Sequence, residues 1–152
     1  MPSTVALPHS ADRHPHLTYE HHPNFGDYIY SPTILSWTQC RAFADGHPLL
    51  LSGRGRRPTE DQIALFWAID SRLDELTKAA IAAVCPPPIK PRRGLFSRTL
   101  EFARAELVLR EVGLDEVDSF VLFFDTPMGD KINMWPMVTF CDWRITKSEW
   151  VC

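Results

Sequence analysis

The sequence contains no apolar run approaching the roughly 20 residues that a membrane-spanning helix needs, and its 45% apolar content is ordinary for a soluble globule. It has no C-x-x-C pair. Cys40, Cys85, Cys141 and Cys152 are scattered, which argues against a zinc knuckle and a disulfide framework and predicts reduced thiols. It has no G-x-x-x-x-G-K-[ST] phosphate-binding loop. Positive charge is not in excess either: 16 Lys and Arg against 19 Asp and Glu leave −3, so nucleic acid is not the expected partner. Residues 1–10 carry neither a basic region nor a continuous apolar one, so no secretory signal is expected and the cytoplasm is the expected compartment. A chain of 152 residues can bury enough surface as one domain to need no disulfide, metal or cofactor to fold.

What is present begins with a helix signal over residues 59–84. Thr59 is a natural N-cap and Gln62, three residues on, completes a capping box. Glu60 and Asp61 place negative charge at the positive end of the helix dipole. Ile63, Phe66, Ile69, Leu73, Leu76, Ala80 and Val84 then recur at spacings of three or four, one apolar stripe on a 3.6-residue period. Pro86, Pro87 and Pro88 stop it, so the expectation is one long helix.

Residues 1–24 hold prolines and five of the six histidines with few large apolar groups, and are read as a flexible His/Pro-rich tail ahead of a single α+β domain at 25–152. Strand chemistry starts at Tyr28, Ile29 and Tyr30 and runs on through Trp37. Asp45-Gly46 precedes Pro48 and three leucines, which signals an antiparallel hairpin. Phe96, Leu100, Ala103 and Leu107 share a face in a shorter helix that Gly113 can end; the alternative is that residues 107–112 are already extended. Residues 120–124 are apolar at both parities and read as a central strand covered on both faces, although a strand with one face at an interface would look alike, with 134–141 pairing beside it and 142–151 continuing extended. The expected fold is α+β: an antiparallel sheet of four to five strands, one long helix packed on a face, and a second shorter helix.

Five groups of residues bear on chemistry or binding. The loop Arg54-Gly55-Arg56-Arg57 leads into a helix N-terminus, where arginines and free N–H groups suit an anion, although Glu60 and Asp61 would repel it. Cys40 and His47 flank one turn and offer a nucleophile with a base, without a glycine cluster to bind an oxyanion. Asp115, Glu116 and Asp118 form an acidic cluster before the central strand and Asp125 and Asp130 flank the turn after it, a set that suits general acid/base work or a hard cation, while turn and strand-end carboxylates are mostly solvated. His14, His16, His21 and His22 carry imidazoles on a segment with no fixed carboxylate or thiolate, so no metal is expected there. Five tryptophans are many for this length; Trp135, Trp143 and Trp150, near the end of the chain, and Asp125 and Asp130, which precede them, are the candidate partner-binding set.

The tryptophan-bearing strand pair around Trp37, the Pro58-Thr59-Glu60-Asp61-Gln62 helix start and the apolar strand before Asp142-Trp143 resemble, in layout, small bacterial proteins of the polymorphic-toxin immunity type. That resemblance implies a non-catalytic protein that binds a cognate toxin, often a neighbouring gene product, and blocks it. It carries over no toxin-contacting residue. The alternatives are a small hydrolase-like enzyme using Cys40/His47 or the acidic cluster, and a phosphate or nucleic-acid binder using the basic loops, with Arg54, Arg56, Arg57, Arg92 and Arg93.

Overall fold

Parallel strands cannot be joined by a tight turn, and that rule accounts for where the two longer helices of this protein lie. The computed structural model describes residues 3–4, 14–42, 48–88, 103–116 and 118–152. Its strands are β1 (Ser3–Thr4), β2 (Thr18–His22), β3 (Gly26–Ser31), β4 (Ser36–Ala42), β5 (Pro48–Arg54), β6 (Val108–Glu116), β7 (Ser119–Asp125), β8 (Trp135–Cys141) and β9 (Arg144–Val151). They form one sheet in the order β2-β3-β4-β5-β6-β7-β8-β9, with β1 paired to the end of β4. Every pairing is antiparallel except β5 with β6, where Leu50 lies opposite Glu111. The crossover between those two strands carries α1 (Glu60–Asp70) and α2 (Leu73–Ala83); α3 (Pro127–Ile132) joins β7 to β8.

This replaces the expected four- to five-strand antiparallel sheet with a mixed sheet that, among the described residues, has nine strands, eight of them in sequence order. The single long helix is also corrected. Its N-terminus is as expected, with the Thr59 hydroxyl accepting from the Gln62 N–H and the Gln62 side chain accepting from the Thr59 N–H. It breaks at Ser71 and Arg72. The Ser71 hydroxyl bonds back to the Ala68 carbonyl at 2.8 Å, and the Arg72 N–H tightens to Ile69 O at 2.9 Å. α1 packs against β6 and α2 against β9, so a sheet that twists between those strands is followed by two shorter rods better than by one straight one. The apolar stripe passes through the break: Ile63, Phe66, Ile69, Leu76, Ala80 and Val84 are buried, while Leu73, beside the break, is half-buried.

The second helix is corrected too. A single 3₁₀ turn spans Arg104–Glu106, and Val108–Glu116 is strand β6. Gly113 ends no helix. It sits inside β6, where an added β-carbon would stand 2.6 Å from Val121 Cγ2. The rest of the expected helix lies outside the described residues. So does the Asp45-Gly46 turn, although β4 and β5 pair antiparallel on either side of it. Thr18–His22, within the segment read as a tail, is a strand paired with β3.

β6 is bulged twice, at Arg110 and at Asp115, and β9 once, at Thr146. Each bulged residue of β6 is charged, and each meets an opposite charge: Arg110 reaches Asp125 at 3.1 Å and Asp115 reaches Arg54 at 3.2 Å. Among the described residues, no helix is long and apolar enough to cross a membrane.

Candidate functional site

Alternation along each strand divides the sheet into two unlike faces. The face under α1 and α2 holds Trp37, Leu49, Leu51, Val112, Leu114, Phe120, Leu122, Phe124, Val138 and Phe140, all almost fully buried. Phe25, in the turn after β2, closes this core edge-on to Trp37, Phe66 and Trp67, with ring centroids 5.9, 5.7 and 6.1 Å away. Two polar residues share the face. Arg41 is 4% exposed and lies over the Phe25, Phe66 and Trp67 rings, its guanidinium donating to Gln39 Oε1 at 2.7 Å and Phe25 O at 2.8 Å. Burial pushes the Arg41 guanidinium below its ordinary pKa, against the pull of Asp70.

The opposite face is open. Across it, Cys40, Leu50, Glu111, Phe123, Met137 and Glu149 stand opposite one another on six successive strands, a rung about 24 Å long at the usual strand spacing. All are half-buried or exposed. The neighbouring rung runs through Thr38, Ser52, Gly113, Val121, Thr139 and Lys147. Gly113 leaves a depression of about 270 Å³ there, bordered by Ser36, Ser52, Arg54, Glu111 and Phe123. The Ser52 hydroxyl donates to Glu111 at 2.6 Å and fixes that carboxylate at the border. The arrangement offers an apolar strip, Leu50, Phe123 and Met137, interrupted by carboxylates at Glu111 and Glu149. This mixture of half-exposed aromatic, thioether and charged groups on a rigid platform suits recognition of another surface.

The candidate residues read from the sequence separate across the two faces. Trp135 and Asp125 fall at one end of the open face, where Arg110 pairs with Asp125 and lies 5.9 Å over the Trp135 ring. Asp130 is exposed on α3 beside them. Trp150 is buried on the helix side, its indole N–H donating to Cys85 O at 2.9 Å. Trp143 is half-buried there too, edge-on to Phe120 at 5.6 Å and under Arg72 at 4.9 Å. It reaches that position through a two-residue turn in which Asp142 and Trp143 both have positive φ, 51° and 61°. The extended run expected over 142–151 therefore begins with a hairpin turn. Trp143 and Trp150 pack the core and have little left to offer a partner.

No protein-family model matches the chain, and no curated protein or solved structure matches it either.

The anion reading of the arginine loop meets a charge argument. Arg54 faces Asp115, and Arg56 bonds Glu20 while stacking 4.5 Å over Tyr30, so an incoming anion would compete with two carboxylates already in place. Cys40 is half-buried on the open face; His47, and Arg92 and Arg93 of the second basic loop, lie outside the described residues. Asp115 and Asp118 border a hollow of about 570 Å³ with Asp61 and Cys141, and among the described residues no group of three or more potential ligands is arranged to hold a metal ion. His21 and His22 contact Asp27 at 2.7 Å and Glu60 at 3.7 Å.

What the sequence did not single out is Glu20, the polar centre of the β2 edge. It accepts from the buried Tyr28 hydroxyl at 2.5 Å and from Arg56. The Tyr28 bond, then Arg56, holds the Glu20 carboxyl below its usual range; burial first, then Glu20, raises the Tyr28 phenol. A carboxyl depressed in the folded state stabilises above its unfolded value, and that stabilisation is lost as pH falls through the folded one. A raised phenol stabilises below its own unfolded value, near 10, and loses this as pH rises. We predict that Glu20→Gln lowers unfolding free energy at pH 7 and that its difference from wild type shrinks as pH drops below about 4.5. Urea titrations between pH 3 and pH 8 measure it; a difference independent of pH would show that the carboxylate charge plays no part.

Proposed function

We propose that this chain is a non-catalytic protein-binding protein of the polymorphic-toxin immunity type, working in the cytoplasm, and that it covers a cognate toxin with the open face of its sheet. The observation that supports this reading is the rung from Leu50 through Phe123 to Met137. Three apolar side chains stand there half-exposed on inner strands, opposite a helix-covered face that is fully packed. Inner strands cannot shift to hide them, and seating them against a partner returns the burial they lack in the free chain. Trp135 and Asp125 extend the same face.

The test uses the product of the neighbouring toxin gene. Wild-type chain should bind it at a defined stoichiometry and protect cells that express it. Phe123→Lys should weaken binding by about 30-fold or more, as loss of a central anchor does, while the melting temperature stays near wild type because the lysine stem can lie along the sheet. Binding as tight as wild type in Phe123→Lys would exclude the open face.

A further inference from the structure

A second apolar group projects where that face ends. The turn between β3 and β4 carries Ile34 and Leu35, each 65% exposed, the most exposed large hydrophobic residues among those described. Leu35 has φ 52°, in the left-handed region that a leucine side chain strongly disfavours and that glycine or asparagine would occupy freely. Its carbonyl accepts from the Gly55 N–H at 3.0 Å, which ties the strained turn to the arginine loop. Arg54, opposite Ser36, is held by Asp115 at 3.2 Å, and Arg57, two residues beyond Gly55 in the same loop, is exposed. The free chain gains almost nothing from a leucine at this place: its side chain is in water and its backbone is strained. Strain kept by an exposed side chain points to work done outside the fold.

We propose that Ile34 and Leu35 form an apolar knob that seats in a hydrophobic pocket of a protein partner with an acidic rim, and that Arg57 meets a carboxylate of that rim. This rests on the protein-binding reading above and names a contact at the end of the same surface: Ser36, next to Leu35, already borders the Gly113 depression. A protein is favoured over a lipid surface because two aliphatic side chains supply little insertion area. The chain's net charge of −3 also opposes approach to an anionic bilayer, and Arg56 is held against Glu20 and Tyr30 rather than free to reach headgroups.

The experiment measures affinity for the neighbouring toxin by calorimetry and association rates by interferometry. Leu35→Asp should weaken binding by about 30-fold or more, the loss expected of an interface hot spot. Leu35→Gly is the decisive variant. It relieves the left-handed strain, so it should melt at or above the wild-type temperature while losing binding as Leu35→Asp does. Arg57→Glu should slow association and reduce its dependence on salt. Wild-type affinity in Leu35→Gly overturns the knob, and if Phe123→Lys has lost binding at the same time the sheet-face reading survives without it. A wild-type chain that binds no toxin overturns both. Binding of wild type to phosphatidylglycerol vesicles, lost in Leu35→Asp while toxin affinity is unchanged, assigns the turn to a membrane and overturns the protein contact.

Discussion

Trp37→Ala is expected to destabilise the fold by about 3–5 kcal/mol, the range for deleting a large buried aromatic side chain. The indole is fully buried at the junction of three elements. Its ring lies flat against Gly53 of β5, where a β-carbon would come within 2.5–2.7 Å of three ring atoms, so strand and ring are fitted to each other. Its N–H donates to Gln62 Oε1 at 3.1 Å, the same oxygen that accepts from the Thr59 N–H, while the Gln62 amide donates to Arg54 O at 3.1 Å. Removing the ring therefore leaves a cavity and also loosens the side chain that caps α1. Trp37→Phe should cost less, by keeping most of the volume and losing the bond. Urea unfolding measures both, and a loss below about 1 kcal/mol for Trp37→Ala would show that the site collapses freely.

Arg41→Ala is expected to cost a similar amount, about 3–5 kcal/mol, for a different reason. The guanidinium satisfies two buried acceptors, Gln39 Oε1 and Phe25 O, and each left without a donor costs about 1–3 kcal/mol, to which the vacated volume adds. Phe25 O keeps a second donor in the Gln39 amide, so the Gln39 oxygen carries the larger share. Arg41→Met restores most of the volume among the three rings without the charge, and should cost under about 2 kcal/mol. Equal losses in the two variants would show that hydrogen bonding rather than packing holds the site. A loss below about 1 kcal/mol in Arg41→Ala would mean that the cost of burying the charge cancels its contacts.

The parts of the fold legible in the sequence are those set by residues close together in the chain. The Thr59–Gln62 box and the stripe from Ile63 to Val84 are of this kind, as is the pairing of β4 with β5. The break at Ser71 was not, because Ile69 and Leu73 keep helical spacing across it and neither glycine nor proline marks it. Sheet width was not, because it depends on a parallel seam between Leu50 and Glu111, far apart in sequence. β6 was read as helix from spacing alone, although the extended alternative was open. Residues 120–124 looked covered on both faces; Phe120, Leu122 and Phe124 are buried while Val121 and Phe123 are only partly so, and a half-exposed apolar side chain leaves no separate mark in composition. Arginine and glutamine are mostly surface residue types, yet Arg41 and Gln39 continue the parity of Trp37, and that parity is the one signal of their burial. Of the candidate partner-binding residues, Trp135, Asp125 and Asp130 lie at one end of the open face, whereas Trp143 and Trp150 turn inward; aromatic type alone does not distinguish an anchor from a core residue.

The extra residue at Thr146 has a consequence for solubility. A sheet with an exposed apolar face is at risk of growing sideways into ribbons, each copy adding its outer strand to the next. On one border the Thr146 bulge interrupts the regular ladder of β9, and Lys147 and Glu149, paired at 2.9 Å, place charge along it. On the other border β2 is only five residues long and carries Glu20 and two histidines. Both borders are poor templates for a further strand, so the apolar strip between them can stay exposed for a partner without seeding fibres of the chain itself.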